Sequence, residues 1–238
     1  MIIKSLNNHS ATGCDLVSVK IIKMLNNDSL QFLCDAFNHS LNFGIFPNLW
    51  KVSRISPIPK KGTNDYRPIA VTSNISKIIE KIVHRRLYRH LIDINHFHPN
   101  QFGFRPSHNT EAACLSIQNY AAMALEANQF CCLVSIDFSK AFDTIDRQLL
   151  LDKLFQLGIS NTLHKWFTSY LINRKQFIQC DQEKSNFVYN NLGVPQGSIL
   201  GPLLFEIYLM DIFDICSDSE LFGYADDIYL LMKNKCEQ

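Results

Sequence analysis

The chain has 238 residues, 23 Lys or Arg against 22 Asp or Glu, a formal net charge of +1 and 47% hydrophobic residues. A chain of this size buries roughly 70–75% of the surface that its unfolded form exposes, so it can form one large domain or two subdomains without staples. Its longest apolar stretch, Ile199 to Leu209, is broken by Pro202 and Glu206. It falls far short of the ~20 residues of a membrane span, and no membrane association is expected.

The eight cysteines form no C-x-x-C pair, and the start Met-Ile-Ile-Lys lacks the apolar run of a secretory signal. They read as reduced thiols, several of them filling core, in an intracellular protein of the nucleus or cytoplasm that is not secreted. The near-zero net charge hides an asymmetry. Ten Lys or Arg lie between Lys51 and Arg89 against Asp65 and Glu80, whereas Glu206 to Gln238 holds eight acids against Lys233 and Lys235. One end suits phosphates and the other metal, although solvated surface fits the basic stretch equally well.

In chain order, residues 28–44 read as a helix that Asp28 can cap and Gly44 can end, with Leu30, Leu33, Phe37 and Leu41 on one face. Trp50 to Ile69 reads as a basic-tipped β-hairpin or long loop. Its Lys60 and Arg67, seven residues apart, can return to the same side to grip a polyphosphate or can be ordinary surface charge. From Asn74 an apolar stripe runs beside Lys77, Lys81, Arg85 and Arg89, which repeat every fourth residue and can lie along a phosphate backbone. Residues 93–109 are loop-rich; their histidines lack the spacing of a zinc site.

Thr110 to Ala127 reads as a scaffold helix, and Phe130 to Ile136 as a buried strand that delivers Asp137 at its end. Asp143 and Asp146 read as caps of the next helix, with Leu149, Leu150, Leu154 and Leu157 facing inward and Gly158 ending it. A helix over 161–172 and a polar hairpin over 176–190 follow. The segment Gly193-Val-Pro-Gln-Gly then leads into an apolar helix with Pro202 in its first turn; its glycines allow close approach of another backbone or a base pair, or simply a turn. Finally, Phe222 to Met232 reads as two strands joined by a tight turn carrying Asp226 and Asp227. Two adjacent carboxylates fit a solvated turn or a divalent-cation site.

Five segments in this order carry a resemblance: Pro-Ile-Pro-Lys-Lys-Gly with Tyr-Arg-Pro-Ile, Asn100-Gln-Phe-Gly-Phe-Arg-Pro, Asp137-Phe-Ser-Lys-Ala-Phe-Asp, Gly193-Val-Pro-Gln-Gly-Ser-Ile-Leu-Gly-Pro and Tyr224-Ala-Asp-Asp. Together they resemble the reverse transcriptases of non-LTR (LINE-type) retrotransposons over nearly the whole chain. The resemblance implies an α+β fold, the fingers and palm of a right-hand polymerase, with an antiparallel palm sheet backed by helices. Residues 1–128 would be fingers-like and 129–238 palm, with some interleaving. The chain ends six residues after Met232, so the thumb is expected to be absent.

The resemblance further implies RNA-templated DNA synthesis from RNA template, DNA primer and dNTPs, with Asp137, Asp226 and Asp227 as ligands of two Mg²⁺ ions, or Mn²⁺. Lys60 and Arg67 match its triphosphate-binding cations, Phe142 the residue against the sugar, and Gln196 with Gly197 the loop at the incoming nucleotide. Cys14 and Ile228 depart from the usual Pro and Thr or Ser without touching that chemistry. Two other readings are a catalytically inert, nucleic-acid-binding remnant of such a polymerase and a two-metal nuclease.

Overall fold

A computed structural model describes residues 2–59, 61–62, 64–180, 183–215 and 219–235. Its elements, in chain order, are α1 (Val19–Lys23), α2 (Asn27–Phe43), β1 (Val52–Pro59), β2 (Tyr66–Val71), α3 (Asn74–Asp93), α4 (Thr110–Glu126), β3 (Gln129–Asp137), α5 (Arg147–Gln156), α6 (Asn161–Leu171), β4 (Arg174–Cys180), β5 (Glu183–Lys184), β6 (Val188–Asn190), α7 (Gly201–Leu209), β7 (Ser219–Tyr224) and β8 (Asp227–Lys235). The fold is α+β, in two compact units. Met1–Tyr88 joins Phe142–Phe205 in the first, and Arg89–Ala141 joins Glu206–Gln238 in the second. Each unit therefore draws on two separated stretches of the chain.

In the first unit the strand order is β2-β1-β4-β5, with β6 also on β4. The expected basic hairpin is β1–β2, antiparallel, with Ile58 opposite Arg67. The polar stretch after α6 does fold back on itself, but β4 also runs parallel to β1, Val52 facing Lys175. No local pattern announces that long-range pairing.

Helix α2 starts two residues earlier than Asp28 implied, because the Asn26 side chain accepts the Ser29 N–H at 2.9 Å and satisfies one of the free donors of the first turn. It ends at Gly44, at φ 68°, where a Cβ would sit 2.8 Å from Lys165 Cβ and 2.9 Å from Thr162 O. Glycine closes the helix and lets α6 approach. There Phe46 packs edge-on against Trp166 and Tyr170, at 5.4 and 5.0 Å between ring centroids. The Trp166 indole N–H donates to Ser40 Oγ at 3.0 Å. Phe46 and Phe167 are fully buried, and each such side chain contributes about 1.5–3 kcal/mol.

The second unit is an antiparallel sheet in the order β3-β8-β7. Helix α4, capped by Asn109 through the Ala112 N–H, lays Ala113 and Tyr120 on it, in a cluster with Phe102, Phe222 and Leu231. The central strand β8 buries Ile228 and Leu231 completely. Strand β3 corrects the expectation of a buried strand: it lies at the sheet edge, with Phe130 68%, Leu133 49% and Val134 39% exposed. An apolar run does not reveal whether both faces are covered, and among the described residues β3 pairs with β8 alone.

The cysteines also differ from expectation. Cys14, Cys34, Cys114 and Cys132 are free and exposed, and Cys131 is free and half-buried, so these thiols fill little core. Among the described residues no helix is long and apolar enough to cross a membrane.

Candidate active site

The acidic end of the second unit is built by strand register. Asp137, the last residue of β3, faces Asp227, the first of β8, and Tyr224 of β7 faces Asp227 from the other side. Only Ala225 and Asp226 lie outside the ladder, so Asp226 occupies the turn and Asp227 begins the strand. Ala225 takes φ 58°, which matches the twist of the flanking strands in a two-residue hairpin but is unfavourable for a residue with a Cβ. Asp137 and Asp227 are exposed and Asp226 half-buried.

Like charges directly opposite each other in an antiparallel pair repel, and a cation between them would remove that cost. Carboxylate oxygens are the donors that Mg²⁺ and Mn²⁺ prefer. The donor chemistry fits. As the side chains stand, no three His, Cys, Asp or Glu groups among the described residues converge as a ready ion cage.

A second constellation lies within the first unit, around residues 190–200. Gln196 O accepts the Ala70 N–H at 2.7 Å along β2. Gly197 has φ 104°, and a Cβ there would lie 2.7 Å from Ala70 O. The Gln196 side chain donates to Asp143 Oδ2 at 2.8 Å, and Val194 N donates to Phe142 O at 2.9 Å. The structure thus sets Gln196 and Gly197 against the strand that carries the exposed Arg67, and ties Phe142 to the same loop through Val194. Phe142 is half-buried, its ring 4.7 Å from that of Phe205. Lys60 lies outside the described residues. Asp143 is no cap: it holds Gln196, while Asp146 caps α5 through the Leu149 N–H at 3.0 Å.

Two buried charges that the sequence left unremarked brace the ends of this loop. Arg147 donates from Nε to Gly193 O at 2.8 Å, from Nη1 to Asn190 O at 2.6 Å and from Nη2 to Leu192 O at 2.8 Å. Burial, with repulsion from Arg174, brings its pKa down to about 10, so it stays charged at neutral pH. Glu80, fully buried, accepts the Ile199 and Leu200 N–H groups at 2.9 and 3.4 Å and the Tyr170 hydroxyl at 3.4 Å. Burial raises the Glu80 pKa, and Arg174 and the two N–H donors oppose it. The signal was faint: a lone Glu and a lone Arg on amphipathic helices read as solvated positions.

The four-spaced basic residues are not alike. Lys77 is half-buried, with burial lowering its pKa against Glu80 and Asp15. The half-buried Lys81 donates to Ser5 Oγ at 3.0 Å. Arg85 and Arg89 are exposed.

Residues 58–238 match the family described as Reverse transcriptase (RNA-dependent DNA polymerase). The chain belongs to the reverse transcriptase family. It is 32% identical over 247 residues to the RNA-directed DNA polymerase from mobile element jockey of Drosophila melanogaster. It is 30% identical over 246 residues to the probable RNA-directed DNA polymerase from transposon BS of the same organism. Both matches cover 98% of the chain but 27% of the relative, so the chain spans about a quarter of the length of these curated relatives. The resemblance read from the five segments is borne out, with its non-LTR retrotransposon branch.

Among solved structures, apo telomerase from Candida tropicalis superposes with a TM-score of 0.61 at 12% identity, covering 88% of this chain and 45% of that one. A telomerase from the same organism in complex with a telomeric RNA fragment gives 0.59 at 11% identity, covering 91% of this chain and 40% of that one. These likenesses show a shared fold.

Proposed function

We propose that this reverse transcriptase chain carries an RNA-templated DNA polymerase core, adding dNTPs to the 3′-hydroxyl of a DNA primer, with the first unit supplying fingers elements and the second the palm. The observation that carries the reading is the cross-strand pair of Asp137 and Asp227 with Asp226 in the adjoining turn. These three would hold two Mg²⁺ or Mn²⁺ ions. Bound there, the ions would lower the pKa of the primer hydroxyl and offset triphosphate charge.

In this reading Arg67, with Lys60, holds the triphosphate. Phe142 stands against the sugar, and Gln196 and Gly197 present a fixed backbone to the incoming nucleotide. Lys77, Lys81, Arg85 and Arg89 serve the template–primer, the two exposed arginines most directly. The protein works inside the cell, in nucleus or cytoplasm.

Primer extension on an RNA template tests this. Incorporation by the wild-type chain, lost about 10³-fold or more in Asp226→Asn at unchanged melting temperature, supports it. Normal extension by Asp226→Asn refutes the assignment of the acids. Salt-sensitive binding without extension identifies an inert binding remnant, and cleavage without dNTPs a nuclease.

A further inference from the structure

One segment of the resemblance, Asn100 to Pro106, has so far no task. It lies wholly within the second unit and runs along β7. Gln101 forms a parallel bridge with Gly223. Gly223 N donates to Asn100 O at 2.9 Å, and Phe102 N donates to Gly223 O at 2.8 Å. The edge of the sheet beside the acidic turn is therefore closed by a two-bond splice.

Glycine stands on both sides of that splice. A Cβ on Gly223 would meet Gln101 Nε2 and Phe213 Cζ, each at 2.9 Å. A Cβ on Gly103 would collide with Ala225 N and lie 2.7 Å from Ala225 Cα. Ala225 is the residue at φ 58° immediately before Asp226, so the backbone of Gly103 rests directly on the turn that presents the acids.

The splice is itself held from behind. The buried Gln101 accepts the Gly103 N–H through Oε1 at 2.9 Å. Arg105 Nη1 donates to His98 O at 2.8 Å and to Gln101 O at 2.9 Å, and its guanidinium lies 5.2 Å from the centre of the Phe97 ring. The His98 ring stacks on Phe213 at 4.8 Å. One guanidinium nitrogen thus holds both carbonyls while the planar group lies over the Phe97 ring, and a lysine ammonium, a point charge on a flexible stem, does not reproduce that combination.

We propose that residues 100–105 are a clip that fixes the acidic turn, with Gly103 and Arg105 as positioning residues for Asp226 and Asp227. Gly103 acts by what it lacks, since only a bare Cα lets the clip bear on a strained turn, and Arg105 acts by holding the carbonyl of the residue that bridges Gly223. The catalytic consequence rests on the polymerase reading above, whereas the structural effect does not.

The experiment separates the two. Amide hydrogen exchange is followed in the whole chain for Gly223, whose N–H is bonded to the clip, and for Leu133 and Leu231 in the β3–β8 ladder. Gly103→Ala should speed exchange at Gly223 by about tenfold or more while Leu133 and Leu231 keep their rates. Arg105→Lys should do the same to a smaller degree, and decides the matter if Gly103→Ala does not fold. In primer extension, both variants should need about fivefold more Mg²⁺ for half-maximal rate, with KM for the template–primer unchanged. Unchanged exchange at Gly223, or an equal rise across β3–β8, overturns the clip. A wild-type chain that shows no extension defeats the polymerase reading alone, and the exchange rates still decide.

Discussion

The loop at residues 190–200 and the acidic turn at residues 224–227 are both irregular segments set against a strand, yet they are held by opposite means. The first is braced by ionisable side chains taken out of water: Arg147 binds three carbonyls at its start and Glu80 binds two N–H groups at its end. The second is held by main-chain register and by the bare Cα atoms of Gly103 and Gly223, while its Asp227 is exposed and its Asp226 half-buried. Charge serves as scaffold in one region and as display in the other. Neutralising a charge should therefore unfold the first region and disarm the second.

The sharpest break of that contrast is Arg147→Met. It preserves bulk but leaves three buried carbonyls without their donor, and should cost about 3–5 kcal/mol in denaturant unfolding. A loss below about 1 kcal/mol would mean that the arginine only decorates the loop.

Glu206 refines the contrast, because it is a buried carboxyl in the second unit with no hydrogen-bond partner on either oxygen among the described residues. Burial raises its pKa to about 8, partly offset by Arg105. Its folded value lies above its unfolded one, so the native state keeps a proton that the unfolded chain has lost. Stability should be full below pH ~4.5 and fall as pH rises toward 8, by about 5 kcal/mol at most. Glu206→Gln should remove that slope in a series of chemical melts between pH 5 and 9. An unchanged slope would mean that Glu206 finds partners after all.

Glu80→Ala should cost about 2–3 kcal/mol through the orphaned Ile199 and Leu200 N–H groups and the space it leaves. Glu80→Gln, which can still accept those bonds, should lose less. Equal losses would show that charge rather than geometry matters at this site.

The smallest effect belongs to the display side. Asp137→Asn relieves repulsion with Asp227 across the ladder and should shift stability by no more than about 0.5–1 kcal/mol, in the favourable direction, in metal-free buffer. A large destabilisation would mean that Asp137 is scaffold.

These two modes also explain what could be read from the chain alone. The helices over 27–43, 74–93, 110–126, 147–156 and 161–171 were legible because apolar periodicity and caps such as Asp146 are local signals. The acidic hairpin was legible because two carboxylates interrupted an apolar alternation. Asp143, read as a cap, proved to be an acceptor for Gln196, a contact across 53 residues that no spacing rule encodes. Arg147 and Glu80 escaped notice because an isolated charge on a helix looks the same whether it meets water or a loop. The parallel pairing of β1 with β4 and the exposed position of β3 depend on which strand arrives beside which, and neither has a local signature.

The open side of β3 bears on how the chain behaves in the test tube. Among the described residues this strand has one neighbour, and Phe130, Leu133 and Val134 stand in water along it. A long, apolar strand with one unpaired edge is a template for a second chain. Concentrated preparations should therefore self-associate strand to strand, and a single lysine at Val134 would be the first remedy for keeping the protein dispersed.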